Sequence, residues 1–124
     1  MISKNIIDLK KKIGTSVNII AVSKNNPKSS ILECFHSGHI DFGENRVQEL
    51  CEKANSLPDE INWHMIGKLQ RNKVKYIVSF IHLIHSVDSV KLLNEIDKQS
   101  KKINRIINVL IQVHIAKELS LIHI

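Results

Sequence analysis

A chain of 124 residues, 43% apolar and 24% charged, can bury the core of one soluble domain, and none of its apolar runs reaches the ~18 residues a membrane helix needs. Its net charge of +6 comes mostly from Lys, which AT-rich codons favour along with the abundant Ile and Asn, so charge leaves phosphorylated small molecules and nucleic acid both open. The two cysteines, Cys34 and Cys51, fit a reducing compartment; they have no CxxC spacing, fall in helical segments, and read as small core residues rather than a redox or metal pair.

The opening MISKNIIDLKKK has no signal-peptide apolar region or cleavage site. Asp8 and the lack of Arg argue against a mitochondrial presequence, so the cytoplasm is the expected compartment. Ile2, Ile6, Leu9 and Ile13 form one stripe and predict a first helix. Val17–Ser23 reads as a first strand that ends abruptly at Lys24. Asn26 can cap a second helix with Pro27 at its first position, and Gly38 stands where that helix should stop. Ile40–Phe42 is a short second strand. Val47, Leu50, Cys51 and Ala54 then follow the i, i+3, i+4, i+7 pattern of a buried helix face. Leu57-Pro58-Asp59 is a turn into a third strand, Ile61–Ile66. Val74, Ile77 and Val78 mark a shorter helix. His82–Val87 is a fourth strand, and Asp88 or Ser86 can cap the helix carrying Leu92, Leu93 and Ile96. Ile106–Ile115 is the fifth strand.

Strands that alternate with helices pair in parallel, because each crossover returns the chain to the same end of the sheet. Periodicity leaves two architectures open: a doubly wound open sheet, or the first part of a (β/α)8 TIM-type barrel with about five parallel strands. In either, Lys24, Glu44, Asn45, His64, Gly67, Ser86, Gln112 and His114 would gather at the C-terminal rim, where such folds place their chemistry. Each alone is bland. A strand-end lysine is usually a solvated surface residue, and Asn45 could simply cap the third helix. A lysine is nonetheless the side chain that condenses with aldehydes.

The segments AVSK (21–24), DFGENRVQE (41–49), WHMIGKLQRNK (63–73) and LIHSVDS (83–89), in this order and spacing, resemble the pyridoxal 5′-phosphate (PLP) homeostasis protein family. These are small PLP-binding barrels once described as proline synthetase co-transcribed homologues and related to the N-terminal barrel of alanine racemase. The resemblance runs from about Leu9 to about Glu118. It implies a barrel fold, PLP as cofactor and a Schiff base on Lys24. It also implies Asn45 beside the cofactor, and His64, Ile66 and Ser86 lining the pocket near the ring. An amine attacks an aldehyde only when neutral, and partial burial at a barrel mouth would favour that form. For His64 the wall of a pocket and a satisfied core histidine weigh equally. Gly67 is read as a place where backbone turns closely at a strand end.

The resemblance further implies a carrier or buffer, not an enzyme, handing PLP to apo PLP-dependent enzymes by transimination. One alternative is a small PLP-dependent amino-acid racemase. That reaction needs a second base opposite Lys24, and the sole tyrosine, Tyr76, falls on a helix away from the rim. The other alternative is a basic nucleic-acid-binding module using Lys68, Arg71, Lys73 and Lys75, disfavoured by 4% aromatic content. GKLQRNK lacks the spacing of a phosphate loop. No membrane partner is expected. No metal is expected either: the histidines lack ligand spacing, and His82 and His85, three apart on a strand, should point to opposite faces.

Such barrels run to roughly 250 residues. Residues 1–118 therefore read as a partial PLP-binding barrel without the phosphate-holding late strands of the family, which predicts weak, reversible PLP binding and an exposed sheet edge. Residues 119–124, LSLIHI, read as a non-native tail, because the transposon mosaic-end adaptor CTGTCTCTTATACACATC encodes them in one frame.

Overall fold

The computed structural model describes residues 2–14 and 16–113. His114 and the 119–124 tail lie outside the described residues. Helix α1 spans Ile2–Ile13, β1 Ala21–Val22, α2 Lys28–His36, β2 Asp41–Glu44, α3 Val47–Ser56, β3 Asn62–Met65, β4 Ile81–Val87, α4 Val90–Lys102 and β5 Asn108–Ile111. A 3₁₀ helix, Arg71–Tyr76, connects β3 to β4.

The five strands are all parallel and stand in sequence order, β1-β2-β3-β4-β5. That order decides between the two architectures. A doubly wound sheet reverses direction at a switch point, whereas barrel strands follow one another without reversal. Right-handed crossovers in one direction then put every helix on one side of the sheet. Between sheet and helices lie Phe42, Leu50, Trp63, Met65, Ile77, Ile81, Ile84, Val87, Leu92 and Ile96, all buried. The opposite, concave face carries Val22 and Leu110, each 50% exposed. Among the described residues no helix is long and apolar enough to cross a membrane.

Several boundaries differ from the sequence expectation. Pro27 occupies the N-cap of α2 rather than its first turn, and no side chain caps that helix. Gly38 does follow its end, at φ +104°, a conformation that suits a residue without Cβ. The cap of α4 is Ser89, whose hydroxyl accepts from Leu92 N at 3.1 Å; neither Asp88 nor Ser86 does this. The Val74–Val78 segment is wound more tightly than an α-helix. Its bonds join residues three apart, Ile77 N to Val74 O (3.1 Å) and Phe80 N to Ile77 O (3.2 Å), matching the three-residue spacing of Val74 and Ile77.

Strand β4 is irregular, and this matters for the site. Trp63 pairs with Ile81 but His64 with Leu83, so two residues of β4 span one step of β3. The extra residue is His82. A second irregularity lies between Ile84 and Val87, where Ser86 has φ +58°. The buried residues Ile81, Ile84 and Val87 consequently recur every three positions instead of every two.

Candidate functional site at the C-terminal end of the sheet

The turn after β1 is built to present one side chain. Ser23 N bonds Gly43 O at 3.0 Å, and Asn26 N bonds Ser23 O at 3.1 Å, closing a turn over Lys24 and Asn25. Asn25 takes φ +62°, which asparagine tolerates better than most residues. Both neighbours of Lys24 are then tied to a buried ionic network. Lys53 of α3, 5% exposed, reaches Glu44 at 2.8 Å and Glu49 at 2.7 Å, and donates to Ser23 O at 2.7 Å. The Ser23 hydroxyl donates to Glu44, and Asn25 N donates to Glu49 at 2.9 Å. Lys24 itself is exposed, and among the described residues no carboxylate pairs with it. The partial burial expected around its amine is therefore absent in this structure.

Glu44 corrects the expected rim. It is fully buried and points toward α3, not into the mouth of the sheet. Alternation along β2 explains this: Phe42 and Glu44 share the helix side, while Asp41 and Gly43 share the concave side. Asn45, the next residue, is half-buried beyond the strand end. The N-cap of α3 is Arg46, without a side-chain cap bond, so the capping role open to Asn45 is not used. Its backbone is held by Gly67: a Cβ on Gly67 would lie 2.3 Å from Asn45 O. Gly67 thus serves the close approach read from the sequence. Ile66, half-buried, packs against Gly43, where an added Cβ would meet its Cγ2 at 3.0 Å.

Ser86 occupies the left-handed region inside β4, a conformation that costs a residue with a Cβ about 1 kcal/mol. Gln112 lies just past β5, its N–H bonded to Val87 O at 2.8 Å.

His64 is 4% exposed and sits deeper on the concave face, level with Gly43 in the β2–β3 register. Its Nε2 lies 3.1 Å from Asp41 Oδ1, and its Nδ1 lies 3.1 Å from His85 Nε2. The His82 ring stands edge-on to it at 5.2 Å between centroids. His82 and His85 therefore both reach His64, against the expectation of opposite faces, because the bulge at His82 breaks the two-residue alternation. Burial, and then neighbouring His64, push His85 below its ordinary range. The sequence reading missed Asp41, His82 and His85 as partners of His64. It also missed Lys53, although a lysine three positions after Leu50 on a buried helix stripe was a usable signal.

The thiols of Cys34 and Cys51 are pushed up mainly by burial and so stay protonated. Glu49 is held below its ordinary value, first by its hydrogen bond from Lys53 and then by Asn25 N–H. A carboxyl lowered in the folded chain stabilises it above the unfolded value of 4.5 and loses that contribution as pH falls through the folded value. Urea melts at pH 6 and pH 3 should therefore show a smaller acid loss in Glu49→Gln than in the parent chain. Identical losses would mean that Glu49 is not anchored to Lys53 in solution.

No family model matches the chain. It is 43% identical over 101 residues to the pyridoxal phosphate homeostasis protein of Aquifex aeolicus, a match covering 81% of this chain and 44% of that protein. It is 36% identical over 107 residues to the protein of the same name from Schizosaccharomyces pombe, covering 85% of this chain and 45% of the relative. Among solved structures it superposes on PipY of Synechococcus elongatus with PLP bound, at a TM-score of 0.84 and 39% identity. That superposition covers 91% of this chain and 54% of PipY. The chain spans about half the length of the curated relatives it matches.

Proposed function

The chain belongs to the pyridoxal phosphate homeostasis protein family, and from that premise we propose that it holds PLP at the C-terminal end of the sheet through Lys24. Bound PLP supplies an aldehyde that an amine captures reversibly. The observation that carries this reading is the Lys24 turn. Both neighbours of the lysine are locked into a buried ion-pair network, while its own amine is exposed and unpaired among the described residues. Such a turn fixes where the amine projects without occupying it.

The remaining donor set fits the same ligand. The Asn45 amide is not spent on capping α3 and can both donate and accept beside the amine. Ile66 offers an apolar flank, His64 closes the floor below it, and Ser86 holds a left-handed conformation at the strand end, as residues at binding sites often do. We assign the protein as a carrier or buffer in the cytoplasm with apo PLP-dependent enzymes as clients, not as an enzyme. Tyr76 supports the distinction from a racemase: it is 53% exposed on the 3₁₀ helix, which packs against α3 and α4 on the far side of the sheet.

Titrating the chain with PLP should change the cofactor's absorbance in a saturable way. Lys24→Ala should abolish the change, and an added amino acid should reverse it by taking the aldehyde. A saturable change that survives Lys24→Ala would overturn the assignment. Exchange of the α-proton of alanine with solvent deuterium would replace the carrier by a racemase.

A further inference from the structure

We propose that Asp41, His64 and His82 form a binding site for a divalent transition-metal ion on the concave face of the sheet. One ligand atom from each residue lies within 4.8 Å of the others. His64 Nε2 and Asp41 Oδ1 are already 3.1 Å apart. Two donors on one zinc-like ion, at metal distances of about 2.0–2.2 Å, are about 3.0–3.5 Å from each other.

The supporting shell is also present. His64 Nδ1 has His85 Nε2 at 3.1 Å, so the ring nitrogen away from the ion has a partner to fix its tautomer and orientation. Asp41 Oδ1 accepts from Asn62 Nδ2 at 3.3 Å, which steadies the carboxylate. His82 is the independent sign. It is the bulged residue of β4, and among the described residues its side chain makes no hydrogen bond. Its ring nevertheless stands edge-on to His64, with its nitrogens unspent. A bulge that turns an imidazole toward buried His64 and half-buried Asp41 is a device for re-aiming a side chain.

Two imidazoles and one carboxylate suit zinc, nickel, cobalt or iron(II), and suit magnesium or calcium poorly. Three protein ligands leave positions open for water or an exogenous ligand. The site lies level with Gly43, two residues before Asn45, and so below the strand-end position proposed for PLP. It does not depend on that proposal.

The test is a Co²⁺ titration of the full 124-residue chain, untagged and freed of metal, followed by visible absorption. One ion per chain should bind with a ligand-field band that Zn²⁺ displaces. His82→Ala and Asp41→Asn should each weaken Co²⁺ at least tenfold, whereas His36→Ala, on exposed α2 surface, should leave the band and affinity unchanged. His82 is exposed, so its variant keeps the fold even where Asp41→Asn does not, and circular dichroism checks this. No band, or a band that His82→Ala leaves unchanged, would overturn the site.

Discussion

Replacing Lys53 with methionine should destabilise the chain by about 3–5 kcal/mol, the usual result of removing one partner of a buried ion pair. Lys53 is 5% exposed and Glu44 is not exposed at all. Methionine keeps most of the length and removes the charge, leaving the Glu44 carboxylate buried with the Ser23 hydroxyl as its remaining partner. Glu44 Oε1 already lacks a partner, so the residual charge has no second donor to turn to. Removing both charges, in Glu44→Gln with Lys53→Met, should recover much of the loss, since the penalty comes from an unpaired buried charge. Urea denaturation of the two variants and the parent chain measures this. A loss below about 1 kcal/mol in Lys53→Met would mean the pair behaves as a solvated surface bridge. The single variant should also loosen the Ser23–Asn26 turn and weaken PLP uptake, because Lys53 holds Ser23 O and, through Glu49, Asn25 N.

Gly67→Ala should have the second large effect. The new Cβ would sit 2.3 Å from Asn45 O, 2.8 Å from its Cα and 3.0 Å from its carbonyl carbon. All three are backbone atoms in a segment anchored by the Ile66 N to Glu44 O bond of 3.0 Å, so relief requires β2 and β3 to part at their C-terminal ends. Overpacking costs typically about 1–3 kcal/mol, and this site belongs at the top of that range. Gly43→Ala is the matched control. Its Cβ would meet only side-chain carbons, Ile66 Cγ2 at 3.0 Å and Ile20 Cγ2 at 3.2 Å, which can rotate away. Its cost should stay near about 1 kcal/mol. Equal destabilisation by the two alanines, read from urea midpoints, would contradict the backbone contact. Gly67→Ala should in addition displace Asn45 and lower PLP affinity.

Where sequence and structure agree, the reason is that local chemistry is enough. Continuous apolar runs and helical stripes place the β and α elements, and FGEN followed by HMIGKLQ brings Asn45 and Gly67 together at one rim. The disagreements have identifiable causes. An apolar run does not say which residues find a neighbour: Val17–Ser23 shrinks to Ala21–Val22 in the ladder, with Val17 54% exposed. Ile106, 93% exposed, likewise falls outside β5. Glu44 was expected at the rim because it precedes Asn45, yet adjacent strand residues face opposite ways, and Phe42 had already marked the even positions as helix-facing. The histidine cluster depends on a bulge, and nothing in IHLIHSV (81–87) announces that His82 is the extra residue. The 3₁₀ winding of Arg71–Tyr76 was partly legible in the three-residue spacing of Val74 and Ile77, which fits either helix over so short a stretch.

Lys24 is the residue proposed to take PLP. The direct measurement is to mix the chain with PLP, reduce with borohydride and map the labelled peptide by mass spectrometry. A single adduct on Lys24 that is absent from Lys24→Ala, while exposed Lys28, Lys68 and Lys73 stay unlabelled at stoichiometric PLP, is the predicted result. Label spread over the exposed lysines, or a dominant adduct elsewhere, would contradict it.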